Sequence, residues 1–149
     1  MLEELKEIYR KYGGSVIDYE KFDGEVDVGY RIEYEKRIEE VDVCFFGLAS
    51  GDLNPIHFDE QVAKTTRFGG RVVHGVLTLS IVSAAVARMP GLPVLLDLSF
   101  RFMKPVRIGD TVRVAGEVVD KDGKKYRLNV TCLVGDEVVA EGNATILLW

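Results

Sequence analysis

The sequence predicts an α+β fold in which an antiparallel sheet of long strands wraps around one buried helix. Residues 76–88 read VLTLSIVSAAVAR, apolar nearly all round with only small hydroxyls interrupting. A helix with no polar face belongs in the centre of a fold. Valine-rich segments of alternating polarity follow, near 94–106, 110–120, 124–134 and 137–148, the period-two texture of strands. Their connectors, IGD at 108–110, KDG at 121–123 and GD at 135–136, carry the turn chemistry that joins antiparallel neighbours. At 149 residues the chain is long enough for one substantial core but not for two.

Taken in order, residues 2–12 place Leu2, Leu5, Ile8, Tyr9 and Tyr12 on one stripe of a short amphipathic helix. Gly13 and Gly14 stop it. Residues 15–29 show no sustained period and read as an extended continuation, so 1–29 form a leader and 30–149 the main domain. Tyr30, Ile32 and Tyr34 alternate with Arg31, Glu33 and Glu35, a half-buried strand. After Glu39 the period changes: Val41, Cys44, Phe45 and Leu48 fall on one face of a helix running to about Ser50. Gly51, Asn54 and Pro55 break it into a stiff, irregular turn. A short helical turn around Glu60–Thr66, the glycine-rich FGGR stretch and the apolar helix follow, the last ended by Pro90 and Gly91.

Bulk composition excludes several classes. Hydrophobic residues make up 47% and charged residues 29% of the chain, the balance of a globular protein rather than a disordered one. A formal net charge of −5 advertises no basic face for nucleic acid or an anionic membrane. No apolar stretch approaches the roughly 20 residues needed to span a bilayer. The N-terminus, with Glu3 and Glu4, is unlike a signal or transit peptide. Cys44 and Cys132, each in an apolar run and at no metal or redox spacing, read as reduced core thiols. A cytoplasmic protein is the expectation.

Reactive groups are densest in residues 50–57, Ser-Gly-Asp-Leu-Asn-Pro-Ile-His. In a bent loop Asp52 and His57 can face one cavity, hold a water between them, take a proton from it and return one elsewhere. Asn54 supplies an amide to orient either group or the water. The same residues also make ordinary turn chemistry, since short polar side chains beside proline cap their own backbone. Of the two histidines, His74 reads as structural. Gly75 after it sits at the start of the apolar helix, where unpartnered N–H groups and the positive end of the dipole could stabilise an oxyanion. Alternatively it eases chain entry into a crowded helix. No nucleophile elbow is present around Ser50, FGGR lacks the residues of a phosphate loop, and two histidines without suitably placed cysteines disfavour a structural zinc site. No metal and no cofactor are called for.

GLASGDLNPIH at 47–57, with Ala63 six residues beyond the histidine, and FGGRVVHGVLTLS at 68–80 resemble the MaoC-like family of (R)-specific enoyl-CoA hydratases. The resemblance continues through SFRFMKPVRIGDTV at 99–112 and covers roughly residues 30–149. It implies a hot-dog fold, a curved antiparallel sheet around the long central helix, and pairing into a homodimer or higher homo-oligomer. It also implies roles: Asp52 and His57 activate water for attack at C3 of a 2-enoyl thioester and protonate C2. Asn54 helps hold that water, the Gly75 N–H polarises the thioester carbonyl, and Ser83 contacts the substrate. Coenzyme A would enter as part of the substrate rather than as a cofactor. Two readings compete with it. One is dehydration of an (R)-3-hydroxyacyl chain on acyl carrier protein; the other is a hot-dog domain that binds acyl thioesters without turnover.

Overall fold

The computed structural model describes all of residues 1–149. Its elements run α1 (Leu2–Lys11), β1 (Arg31–Arg37), α2 (Glu40–Ser50), α3 (Pro55–Phe58), α4 (Glu60–Lys64), α5 (Gly75–Ala87), β2 (Pro93–Phe102), β3 (Thr111–Asp122), β4 (Lys125–Val134) and β5 (Glu137–Leu148). The strands form one antiparallel sheet in the order β1-β3-β4-β5-β2. Register shifts between Leu95 and Asp97, Val118 and Asp120, and Cys132 and Leu133 mark irregularities in three of the strand pairs. Extra residues of this kind bend a strand and raise its twist, which lets the sheet curl around α5. This is the hot-dog architecture.

The core forms where alternate sheet residues meet that helix. Val112, Val114 and Val118 of β3, Leu128 and Val130 of β4, and Ala144 and Ile146 of β5 are buried in one cluster with Ile81, Val82, Ala85 and Val86 of α5. Each such valine or isoleucine contributes about 1.5–3 kcal/mol by leaving water. Cys132 lies in the same cluster, and burial pushes its thiol up to about 11. No helix is long and apolar enough to cross a membrane.

Two expectations change in detail. The central helix is not enclosed on every side: Val76, Ser80 and Ser83, spaced four and three residues apart, form an exposed stripe, with Val76 60% exposed. The sheet covers only the opposite face. In α2 the buried residues are Val41, Asp42, Val43 and Gly47, and Leu48 is 74% exposed. Of the anticipated stripe, Val41 is buried, Cys44 is half-buried and Phe45 meets Tyr9 of α1, while Leu48 is left in solvent. Gly47 lies where Phe58 packs, and a side chain there would meet that ring.

The leader straps two helices. On α1, the Tyr9 ring packs tilted against Phe45 of α2 with centroids 5.6 Å apart and donates its hydroxyl to Asp42, while Lys36 Nζ donates to the Tyr9 hydroxyl at 2.6 Å. Burial and the neighbouring Asp42 carboxylate push the Tyr9 phenol well above its ordinary range. Further on, Lys21 Nζ donates to the carbonyls of Ala87, Met89 and Gly91 at 2.8, 3.0 and 2.8 Å, and the Phe22 N–H to that of Arg88 at 2.7 Å. These groups cap the C-terminal end of α5, where carbonyls lack helical partners.

Candidate active site

The motif residues are assembled at the opposite end of α5. Gly51 closes α2 at φ +80°, a left-handed conformation that glycine adopts without strain. Asn54, extended before proline, accepts the Ile56 N–H on its side-chain oxygen at 3.2 Å and caps α3, with Pro55 at the first helical position. The expected irregular turn is therefore one turn of helix, and it delivers His57 inward. Asp52 stays at the rim, 48% exposed, with one carboxylate oxygen accepting the Asn54 N–H at 3.2 Å. Its other oxygen lies 4.0 Å from His57 Nε2.

Bonding partners set the tautomers of both imidazoles. His57 Nδ1 lies 2.7 Å from the Val72 carbonyl. A carbonyl only accepts, so Nδ1 carries the proton and Nε2 presents a lone pair on the side of Asp52. His74 Nε2 lies 2.9 Å from the Asp52 carbonyl and donates to it by the same logic. The two rings stack at 3.7 Å, and Phe46 and Phe58 flank His74. His74 is structural in that it fixes both the Asp52 backbone and the plane of His57.

The loop between α4 and α5 brings the Val72 carbonyl to its place. Arg107 donates to the carbonyls of Phe68, Gly70 and Arg71 at 2.5–3.1 Å, which explains the glycine-rich stretch as a loop wound on a guanidinium. Arg71 in turn donates to the His57 carbonyl at 2.7 Å and to Glu40 at 2.8 Å.

A cavity of about 460 Å³ opens here, lined by Asn54, His57, Gly75, Thr78, Val106 and Phe102 among others. Gly75 and Val76 begin α5, whose N-terminus has no side-chain cap. A side chain at Gly75 would come within 2.8 Å of the Phe102 ring, so glycine is what lets the cavity wall close over the helix start. Asn54, His57 and Gly75 therefore share the cavity wall, and Asp52, outside that lining, joins them at the rim through its 4.0 Å approach to His57 Nε2. Ser83 does not join them: it lies on the exposed stripe of α5 and does not line the cavity.

Asp52, His57 and His74 each offer a ligand atom within 4.8 Å of the others. His57 Nδ1 and His74 Nε2 are both engaged with carbonyls, which leaves His57 Nε2, His74 Nδ1 and the Asp52 carboxylate as the atoms open to a ligand or a proton. Sequence reasoning missed Thr78, Arg71, Arg107 and the Val72 carbonyl. For Thr78 the signal was present, one helical turn beyond Gly75 on the same face.

A curved sheet around a central helix, with a carboxylate–imidazole pair beside an uncapped helix start, defines an acid–base enzyme of the hot-dog class. The chain belongs to the MaoC-like dehydratase family: residues 21–140 match the MaoC like domain. It is 40% identical over 126 residues to a 3-hydroxybutyryl-CoA dehydratase of Methylorubrum extorquens, covering 82% of this chain and 80% of that one. It is 38% identical over 130 residues to an (R)-specific enoyl-CoA hydratase of Rhodospirillum rubrum, covering 83% and 89%. A crystal structure of a protein from Archaeoglobus fulgidus superposes with a TM-score of 0.98 at 61% identity, over 99% of this chain and 95% of that one. The protein is a hydro-lyase.

Proposed function

We propose that the protein reversibly hydrates a trans-2-enoyl-CoA to the (R)-3-hydroxyacyl-CoA, with Asp52 and His57 as its acid–base pair. The observation that carries this is the 4.0 Å approach of the Asp52 carboxylate to His57 Nε2. That gap is wide enough for a water held by both groups rather than a direct bond. The pair removes one proton from the water as its oxygen bonds to C3, and delivers one proton to C2. Electrons of the double bond pass meanwhile toward the thioester oxygen. The Gly75 N–H, at the positive end of α5, receives the charge that develops there. With its oxygen engaged at the α3 cap, Asn54 has its amide N–H groups free to orient the water. The reaction runs without metal or cofactor, and the R configuration rests on kinship with the R. rubrum hydratase.

Arg67 and Lys104 line the same cavity and suit the phosphates of coenzyme A. The same equilibrium on an acyl carrier protein thioester is the alternative, and relative turnover on the two carriers separates them. The acting species is proposed to be a homodimer. Exposed Val94, Leu96 and Leu98 on edge strand β2 and the open stripe of α5 support that, and a second copy over the stripe would give Ser83 a substrate to contact. Free thiols at Cys44 and Cys132 fit a cytoplasmic setting. The test is loss of the enoyl-thioester absorbance when the protein meets crotonyl-CoA. No loss with crotonyl, longer enoyl or carrier-protein thioesters would leave an acyl-thioester-binding domain in place of an enzyme.

A further inference from the structure

Two buried side-chain polar atoms lack a hydrogen-bond partner, His74 Nδ1 at the N-cap of α5 and Thr78 Oγ1 in its first turn. An orphaned hydroxyl is costly to bury, so native structures reserve one for a ligand or water. Thr78 is 2% exposed and lines the cavity beside Gly75 and His57. A threonine in a helix ordinarily turns its hydroxyl back to the carbonyl four residues earlier. That carbonyl, of His74, accepts the Thr78 N–H at 3.2 Å and receives no bond from the hydroxyl.

Position does the rest. Thr78 lies three residues beyond Gly75, about 4.5 Å along the axis and on the same face. Helical side chains tilt toward the N-terminus, so the Thr78 side chain leans over the turn that starts with Gly75. The thioester oxygen assigned to the Gly75 N–H has a second lone pair and needs a second donor as it becomes enolate-like. We infer that the Thr78 hydroxyl is that donor, completing with Gly75 a two-point oxyanion site. The inference rests on the hydratase reading given above.

Thr78→Val keeps the shape and removes the donor; Thr78→Ser keeps the donor and removes the methyl. Both are made in the full chain and compared with wild type for crotonyl-CoA hydration and thermal unfolding. A donor that acts mainly in the transition state predicts a kcat for Thr78→Val lowered by about 10- to 1,000-fold, with KM changed less than about threefold. Loss of the orphan hydroxyl should also raise Tm by roughly 2–8 °C. Thr78→Ser should keep kcat within about threefold of wild type. A kcat for Thr78→Val within about twofold of wild type would refute the assignment. So would Thr78→Ser as slow as Thr78→Val, which implicates packing, or a lower Tm in Thr78→Val, which implicates an internal bond. Wild-type protein inert toward every enoyl thioester would instead bring down the hydratase reading itself.

Discussion

His57 is held by three contacts, each with a different job. The Val72 carbonyl selects its tautomer, Arg71 anchors its backbone, and the His74 ring fixes its plane. Only the residue types at Asp52, Asn54, His57 and Gly75 were legible along the chain, because the first three fall in one short motif and Gly75 opens the apolar helix. The Val72 carbonyl was not, since its place depends on a loop wound around Arg107, more than thirty residues downstream. Gly75 makes a prediction at this scale. In Gly75→Ala the new methyl would press on Phe102, a half-exposed ring that can swing away. The variant should fold with nearly unchanged Tm, yet lose about 10²–10³-fold in kcat as the methyl blocks the thioester oxygen from the N–H. Ordinary turnover by Gly75→Ala would show that the carbonyl binds elsewhere.

The helices that present the reacting groups are braced at their far ends by the leader. Tyr9 fastens α1 to α2, whose last residues lead into Asp52, and Lys21 with Phe22 closes the C-terminus of α5, whose first residue is Gly75. The helix at 2–12 was readable from its stripe, but its docking partner was not. Neither was the true buried face of α2, because a stripe of hydrophobic residues does not say which neighbour will cover it. Leu48 is the clear case, apolar yet turned to solvent. Lys21→Met should remove the ammonium from three carbonyls. Discounted for solvent exposure, that costs about 1 kcal/mol, or roughly 2–5 °C in Tm by calorimetry. An unchanged melting curve would mean that water serves these carbonyls as well as the lysine does.

At the scale of the molecule, the sheet-around-helix architecture follows from the apolar run at 76–88 and the turn residues between the later strands. What the alternation could not reveal is how far the sheet closes: edge strand β2 and one stripe of α5 remain uncovered. A chain with Val94, Leu96 and Leu98 on an open edge is predicted to sediment at twice its own mass at micromolar concentration, with Leu98→Lys shifting it toward monomer. Monomeric wild type across that range would count against the dimer and against any substrate contact for Ser83.

The central claim is that Asp52 and His57 move the protons of hydration, and it is tested most directly by the enoyl absorbance of crotonyl-CoA mixed with wild type, Asp52→Asn and His57→Ala. The predicted result is rapid loss of absorbance with wild type and a rate lowered about 10²–10⁴-fold in each variant, both still folded by circular dichroism. A folded His57→Ala or Asp52→Asn that hydrates crotonyl-CoA near the wild-type rate would contradict it.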